Sequence, residues 1–336
     1  MAKAIALLSG GLDSQLAVKL ILDQGVEVEC LTAASVFHHA TADGDHPAVR
    51  AAGRLGVPIT VLDTDDEMLA MIKAPRHGRG KNMNPCVDCR ILLLRRAAER
   101  MRETGADFIV TGEVIGQRPM SQRRHPMQQV TREAGVEGYV LRPLCAKLLA
   151  PTVPEQEGLV DREKLLAIRG RSRKEQMALA AELGITDYPS PAGGCLLTDP
   201  GFSHRLRELL DHCDPDLNDV ELLRVGRHFR LDPATKLVMG RHEEENHAIE
   251  ALAREGDLLL DAAKFMGPTT LLRGAGSDKN VATAARLTVQ YGKGKAEASA
   301  RVVVRKARTD DSSDVTAAPA TDEEVRHLLI TRERDD

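Results

Sequence analysis

The hexapeptide Ser-Gly-Gly-Leu-Asp-Ser at residues 9–14 constrains the fold of this chain more than any other stretch. It follows an unbroken apolar run, Ala4 to Leu8, which has the length and character of a strand buried on both faces. Apolar residues then repeat at helical spacing, so the glycine pair lies on a strand-to-helix turn. Glycines let the backbone approach a ligand, and the first turn of a helix offers unpaired N–H groups. With a serine at either end, the turn predicts a phosphate site, although no Gly-Lys-Ser/Thr follows as in kinase and GTPase P-loops.

The segments after this turn alternate between strand and helix patterns. Val26 to Ala34 and Pro58 to Asp63 are typical of strands, and Pro47 to Leu55 between them is typical of a helix. The alternation predicts an α/β fold, a parallel sheet with helices on both faces. Ligands of such sheets bind beyond the carboxyl ends of the strands. We therefore expect residues 9–14, residues 111–117 and the connection after them to face one crevice.

From Lys236 onward the pattern changes to short strands and helices, which indicates a smaller carboxy-terminal α+β domain. We divide the chain into a first domain at 1–223, a second at 224–308, and an acidic linker with a short tail helix at 309–336. The formal charge balances of these segments are −4, +6 and −6, within a total of −4. A basic module of this kind fits a polyanionic ligand.

Composition restricts the function classes. Hydrophobic residues make up 42% and charged residues 29%, as in soluble globular proteins. Because no apolar run has membrane-spanning length and no signal peptide is visible, we expect a cytoplasmic protein without a membrane partner. Trp is absent and aromatic residues make up 2%, which argues against a surface that binds single strands mainly by stacking.

The cysteines divide into two groups. Cys86 and Cys89 are spaced as Cys-x-x-Cys at the start of a predicted helix, and Cys195 follows a Gly-Gly pair. No second Cys-x-x-Cys or His pair is present, as a structural zinc would require. Three cysteines without a fourth suit a [4Fe–4S] cluster with one open iron, while dithiol redox chemistry fits the same residues equally well. The remaining cysteines are expected in the core; they are Cys30, Cys145 and Cys213.

A cationic connection runs from Val114 to Gly138 and contains no acid between residues 118 and 132. We expect it to bind an RNA backbone through charge. Its arginines are Arg118, Arg123, Arg124 and Arg132.

The hexapeptide resembles the PP-loop of the ATP pyrophosphatase superfamily. The resemblance implies that the pyrophosphate of ATP lies in the loop, that a carbonyl-type oxygen of the substrate attacks the α-phosphate, and that Asp13 helps to hold Mg²⁺. The residues implied in ATP binding are Ser9, Gly10, Gly11, Asp13, Ser14, Thr111, Gly112 and Gln117.

Two further motifs resemble enzymes that thiolate tRNA. Phe108 to Gln117 (FIVTGEVIGQ), with Ser121-Gln122, resembles the catalytic domain of the tRNA 4-thiouridine synthases. Asn84-Pro-Cys86-x-x-Cys89 resembles the tRNA 2-thiouridylases, with Cys86 where cluster-free members have a catalytic Asp. Three-cysteine members bind a [4Fe–4S] cluster, which implies that Cys86, Cys89 and Cys195 are cluster ligands and, with Asp13, catalytic. The match covers roughly residues 1–215 and leaves the target base open.

The carboxy-terminal domain has a resemblance of its own. Lys236 to Asn246 (KLVMGRHEEEN) resembles the RNA-associated domain of NFACT proteins. This implies that Arg241 and Asn246 contact RNA. The alternative is that these two residues only form an ordinary turn and cap the helix that follows.

These features predict an ATP-dependent, cluster-dependent RNA sulfurtransferase that acts on a tRNA uridine. ATP would adenylate the base carbonyl, and sulfur from sulfide or a cysteine desulfurase would replace the oxygen as AMP leaves. One alternative is a PP-loop enzyme that activates a small-molecule carbonyl for amidation or thiolation, although no glutaminase domain is visible. Another is an RNA-binding adaptor with a vestigial ATP site.

Overall fold

The computed structural model describes residues 1–38, 46–189 and 194–331. The chain forms two compact units, residues 1–198 and 199–336. None of the helices in the described ranges combines the length and the apolar character needed to span a bilayer.

The first unit is an α/β domain, as predicted. Its described strands form one parallel sheet in the order β3-β2-β1-β4-β5, so the strand before the hexapeptide lies at the centre. Its helices and strands are β1 (Lys3–Leu7), α1 (Leu12–Leu22), β2 (Glu27–Ala34), α2 (Pro47–Leu55), β3 (Ile59–Asp63), α3 (Asp65–Lys73), α4 (Cys86–Thr104), β4 (Phe108–Thr111), α5 (Arg124–Glu133), β5 (Val140–Leu141), α6 (Val153–Gln156) and α7 (Lys174–Glu182).

Side chains of β1 alternate between the two faces of this sheet. Ala4 and Ala6 pack with α1 and α2, whereas Ile5 and Leu7 pack with α4 and α5. Both faces of the central strand are therefore covered, which is why its sequence is apolar throughout. This burial fixes the point at which β1 ends and residues 9–14 begin.

The second unit is an α+β domain around an antiparallel sheet in the order β11-β10-β8-β9-β7-β6 among its described residues. One face of the sheet packs against α11 and the other against α10. The elements are α8 (Pro200–His212), α9 (Leu217–Leu222), β6 (Arg227–Asp232), β7 (Thr235–Met239), α10 (Glu243–Leu252), β8 (Leu258–Ala262), β9 (Thr270–Arg273), α11 (Asp278–Tyr291), β10 (Ala300–Lys306), β11 (Ser312–Ala317) and α12 (Asp322–Leu328).

Several sequence-based expectations about local structure were wrong. The segment expected to be an acidic linker contains β11, which pairs with β10 along its whole length. The connection from Val114 to Gly138 contains the helix α5. Helices α8 and α9, expected to close the first domain, fall in the second unit. The predicted short tail helix is present as α12 and opens with a capping box: Thr321 accepts from Glu324 N, and the Glu324 carboxylate accepts from Thr321 N at 2.8 Å.

The hexapeptide turn supplies a stability prediction. Gly10 has a φ of 78°, and a Cβ there would lie 2.5 Å from the carbonyl carbon of Pro47. Gly25 has nearly the same φ, 77°, but nothing lies within 4 Å of its Cβ position. We expect Gly25→Ala to cost about 1–2 kcal/mol through backbone strain alone. Gly10→Ala should cost roughly 1–3 kcal/mol more, because its methyl group collides with main chain.

Chemical denaturation of the two variants measures this difference, and only Gly10→Ala should also weaken nucleotide binding. Equal destabilisation of both variants would contradict the contact between the turn and α2.

Candidate functional site

The hexapeptide turn is braced by its own hydrogen bonds. The Ser14 hydroxyl donates to Gly11 O at 2.9 Å and accepts from Ser9 N at 3.2 Å. The buried Gln15 side chain donates from Nε2 to Gly10 O at 2.7 Å. No side-chain acceptor from the described residues caps the start of α1. The first-turn N–H groups are thus fixed in position and available to an anion.

Residues 111–117 pack directly on this turn. A Cβ at Gly112 would lie 2.6 Å from the carbonyl carbon of Asp13, so the two backbones touch there. Gln117 Nε2 donates to Asp13 Oδ2 at 2.9 Å. The second carboxylate oxygen, Asp13 Oδ1, is buried without a hydrogen-bond partner among the described residues. A buried carboxylate oxygen with no donor is a suitable ligand for a hard cation such as Mg²⁺.

Glu113 is a buried carboxylate that our choice of site residues missed. It is 3% exposed, and Oε2 accepts from Arg142 Nε at 2.9 Å, while Arg90 Nε lies 3.4 Å from Oε1. Burial raises the pKa of Glu113, but the nearby Arg142 and Arg90 outweigh it, so the net pKa is lowered and the group is charged. The sequence contained a signal for this residue, since Glu113 lies inside the stretch Phe108 to Gln117 that resembles the tRNA 4-thiouridine synthases.

The three candidate ligand cysteines lie in neighbouring segments. Cys86 is the first residue of α4, and its Sγ accepts from Asn84 Nδ2 at 3.1 Å. The segment after Cys195 is bonded to the loop before α4, since Met83 N donates to Leu197 O at 3.2 Å. The pKa of the Cys195 thiol is raised to about 12, mainly by burial and in part by the neighbouring thiols Cys89 and Cys86. The side chains therefore share one neighbourhood, although Gly193 of the predicted Gly-Gly turn lies outside the described residues.

The described residues contain no group of three His, Cys, Asp or Glu side chains arranged around a single metal ion. Burial raises the pKa of the Cys89 thiol as well.

The other cysteines separate into core and surface positions. Cys30 and Cys145 are buried, as expected, and burial raises the pKa of Cys30 to about 12. Cys213 is exposed at the end of α8, so its prediction as a core residue was wrong. Cys213 is the extended residue that ends this helix, and its thiol donates to Leu209 O at 3.5 Å at the protein surface.

The cationic connection alternates between exposed and buried residues. Its four predicted RNA-contacting arginines are on the surface, and Arg124 Nη2 donates to Leu148 O at 2.8 Å. Ser121 and Gln122 of the Ser-Gln motif are instead buried. Gly116 N donates to Gln122 O at 2.6 Å, which closes a short loop beside Gln117. The connection is thus a folded loop and helix that presents cations outward.

His77 forms a charged cluster that the sequence did not predict. Its Nδ1 lies 2.7 Å from Asp88 Oδ1 and its Nε2 lies 3.0 Å from Glu133 Oε1. The hydrogen bond with Asp88 is the largest of the effects that raise the pKa of His77. An imidazole between two carboxylates is stabilised as imidazolium, with both nitrogens donating. The cluster ties the loop before Cys86 to α4 and α5.

In the second unit, both predicted RNA contacts have partners within the chain. Arg241 is bound by the buried Glu245, which also accepts from Arg241 N at 2.8 Å. Asn246 Oδ1 accepts from Thr269 N at 3.0 Å. Glu245 and Asn246 lie in the first turns of α10.

Comparison with known families matches both units. The family model "Thiamine biosynthesis protein (ThiI)" matches residues 1–147, and the model "NFACT protein RNA binding domain" matches residues 226–329. The chain joins a ThiI-type segment to an NFACT-type domain. Both predicted resemblances are thereby confirmed.

Curated relatives extend this likeness to tRNA-specific 2-thiouridylases named MnmA. The Methylorubrum populi protein is 25% identical over 243 residues, which cover 67% of this chain and 60% of that protein. The Methylobacterium nodulans protein is 29% identical over 256 residues, covering 72% and 61%. A Syntrophotalea carbinolica protein is 34% identical over 114 residues, covering 31% and 32%. The chain therefore spans about 60% of the length of the first two relatives.

Among solved structures, a 4-thiouridine synthetase–RNA complex with bound ATP matches with 23% identity and a TM-score of 0.38, covering 66% of this chain and 52% of that one. The carboxy-terminal part of a Streptococcus suis fibronectin/fibrinogen-binding protein matches with 12% identity and a TM-score of 0.29, covering 79% and 97%. TM-scores of this size do not establish a shared fold.

The His77 cluster predicts a pH-dependent stability. Because its folded-state pKa is raised, the stabilisation is fully present below the unfolded histidine value of about 6.5 and is lost as pH rises through the folded-state value. The difference in thermal midpoint between wild type and His77→Gln should be large at pH 6 and smaller at pH 9. The exposed His125, also near α5, offers His125→Gln as a control that should leave the midpoint unchanged. A His77→Gln difference that does not vary with pH would contradict the imidazolium assignment.

Proposed function

We propose that this protein is an ATP-dependent sulfurtransferase that thiolates a uridine of tRNA in the cytoplasm. The observation that carries the proposal is that one α/β unit holds both the phosphate turn braced against residues 111–117 and three neighbouring thiols. A phosphate site alone fits any PP-loop enzyme, and thiols alone fit many redox proteins. Together they fit activation of a carbonyl oxygen followed by delivery of sulfur. The names of the relatives supply tRNA as the substrate class.

The reaction begins with ATP in the turn. The N–H groups at the start of α1 and the hydroxyls of Ser9 and Ser14 would bind the pyrophosphate. Asp13 Oδ1 would be a ligand of Mg²⁺, which would supply positive charge to the phosphates. The uracil carbonyl oxygen attacks the α-phosphate, the bond to pyrophosphate breaks, and an adenylated base remains. Sulfur at the oxidation level of sulfide then attacks the activated carbon as HS⁻ and forms the C–S bond. The C–O bond breaks, the former carbonyl oxygen leaves with AMP, and the attacking sulfur loses its proton. Thr111, Gly112 and Gln117 line the nucleotide side of this site.

The thiols of Cys86, Cys89 and Cys195 would hold a [4Fe–4S] cluster. Cluster thiolates bind different irons, so they need not converge on one point as the ligands of a single zinc must. When bound, the cluster would supply an iron without a protein ligand, and hence a place for sulfur from sulfide or a cysteine desulfurase. Asn84, which donates from Nδ2 to Cys86 Sγ at 3.1 Å, would orient that ligand.

The RNA would be bound by cations from both units. In the first unit these are the exposed arginines of the connection, namely Arg118, Arg123, Arg124 and Arg132. In the second unit, Arg241 and Asn246 would add contacts, with Glu245 holding the Arg241 guanidinium in place. The functional division then runs as a PP-loop catalytic unit at 1–198 and an RNA-binding unit at 199–336, whose residues 226–329 match the NFACT model. The expected boundaries at 223 and 308 shift, because α8 and α9 belong to the second unit and β11 is a strand of its sheet.

The cluster assignment predicts colour and iron. Protein purified without oxygen should be brown and carry about four irons per chain. Replacing Cys86, Cys89 or Cys195 by Ser should abolish the colour. Cys145→Ser and Cys213→Ser serve as a buried and an exposed control that keep it. Stoichiometric zinc without iron in anaerobic wild-type protein would contradict the assignment.

The function itself is tested by nucleoside mass spectrometry of total RNA from cells with and without the gene. One thiolated nucleoside should disappear on deletion and return with wild type but not with Asp13→Ala, because the variant cannot hold Mg²⁺ at the turn. The purified enzyme should release AMP and pyrophosphate only when RNA is present. An unchanged thionucleoside profile would favour the small-molecule PP-loop enzyme, and release of ADP would contradict the nucleotide chemistry.

A further inference from the structure

Carboxylates of the second unit engage several of its cations. Such pairs are Arg254 with Asp216, Arg273 with Asp257, Arg286 with Glu324, Arg305 with Asp261, Lys236 with Glu208 and Lys306 with Asp311. Lys264, Lys293 and Lys295 differ from these residues. All three are exposed and make no ion pair with the described part of the chain.

These lysines come from two loops at one end of the sheet. Residues 263–269 join β8 to β9, and residues 292–299 join α11 to β10. Lys293 N donates to Met266 O at 2.9 Å, and a Cβ at Gly267 would lie 3.3 Å from the Cα of Gly292. The loops therefore form a single surface, here named the lysine tip and defined as residues 263–268 and 292–297.

The lysine tip combines cations with one apolar side chain. Met266 is 74% exposed, and Glu297 is the only acid in either loop. Phe265 lies beneath the other loop, where a Cβ at Gly294 would be 2.9 Å from its ring. No aromatic ring of these described residues is therefore exposed for stacking on bases. Ammonium groups act on phosphates as point charges with little geometric selectivity.

We propose that the lysine tip binds the phosphodiester backbone of the substrate RNA, with Met266 against a ribose or an unstacked base. The proposal rests on the proposed function, since it names where the second unit touches the RNA. We expect this contact to be independent of the RNA sequence, because the ammonium groups of the tip bind phosphates and do not read base edges. Arg241 and Asn246 have intrachain partners to lose on RNA binding. Among the described residues the tip lysines have no carboxylate partner, and Lys293 Nζ donates only to the thioether of Met266, at 3.9 Å.

The test measures binding of a fluorescently labelled, unmodified tRNA transcript to the full chain at several salt concentrations. The triple variant Lys264→Gln/Lys293→Gln/Lys295→Gln should bind more weakly, and its slope of log affinity against log salt should shrink by about 2. A matched control, Lys279→Gln/Lys306→Gln/Arg326→Gln, removes the same charge from exposed positions outside the tip and should change the slope less. The triple Lys→Arg variant of the tip keeps the charge and should bind as wild type.

Each outcome decides the matter. Unchanged affinity and slope in the tip variant, with RNA still bound by wild type, would overturn the lysine tip but leave the proposed function intact. Equal losses in the tip variant and the control would also overturn it, because the effect would then be one of net charge. A wild-type chain that binds no RNA would overturn both proposals. If the triple variant does not fold, the single variant Lys293→Gln is measured instead, with Lys279→Gln as its control.

Discussion

The parallel pairing of β1 with β4 is the constraint on which the candidate site depends. Leu7 stands opposite Thr111, so both strands end at the same level and their following segments meet at one edge. The main chain at Gly112 then touches the main chain at Asp13. The contact is so close that a side chain at position 112 would not fit, since its Cβ would lie 2.6 Å from the carbonyl carbon of Asp13. From this contact follow the hydrogen bond between Gln117 and Asp13 and the isolation of Asp13 Oδ1. The phosphate turn is thus shaped by its neighbour strand as well as by its own glycines.

The buried Glu113 extends this framework toward the cysteines. Glu113 lies in the segment after β4 and pairs with two arginines from other elements. Arg142 lies in the segment after β5, and Arg90 lies in α4, directly after Cys89. Losing one partner of such a buried pair costs about 3–5 kcal/mol, since a charge is then left uncompensated. A pair of this kind adds little net stability, but it fixes the relative position of three elements. The His77 cluster acts similarly on the other side of Cys86, where it holds the loop to α4 and α5.

The elements that could be predicted from the sequence are those with an apolar pattern typical of buried strands and helices. The central strands and α1 were predicted because their side chains face a core. Strands β6 and β11 were missed because they lie at the two edges of their sheet, where main-chain pairing holds polar sequences such as Ser-Ser-Asp-Val-Thr-Ala in place. Helix α5 was missed because its sequence is polar and carries a proline in the first turn. The His77 cluster joins residues far apart in sequence, and only tertiary packing brings them together.

The thiols themselves bear on a choice that the sequence left open, between a cluster and dithiol chemistry. A nucleophilic cysteine needs a lowered pKa, because the thiolate is the reactive form. Burial instead raises the pKa of Cys89, and that of Cys195 to about 12, so both side chains are neutral thiols at physiological pH. Part of that rise at Cys195 comes from Cys86 and Cys89, since each added thiolate makes the next one harder to form. A bound metal cation would lower these pKa values, because it stabilises each thiolate as it binds. The raised pKa values of Cys89 and Cys195 therefore disfavour a nucleophilic dithiol, and a metal centre would offset the cost of forming their thiolates.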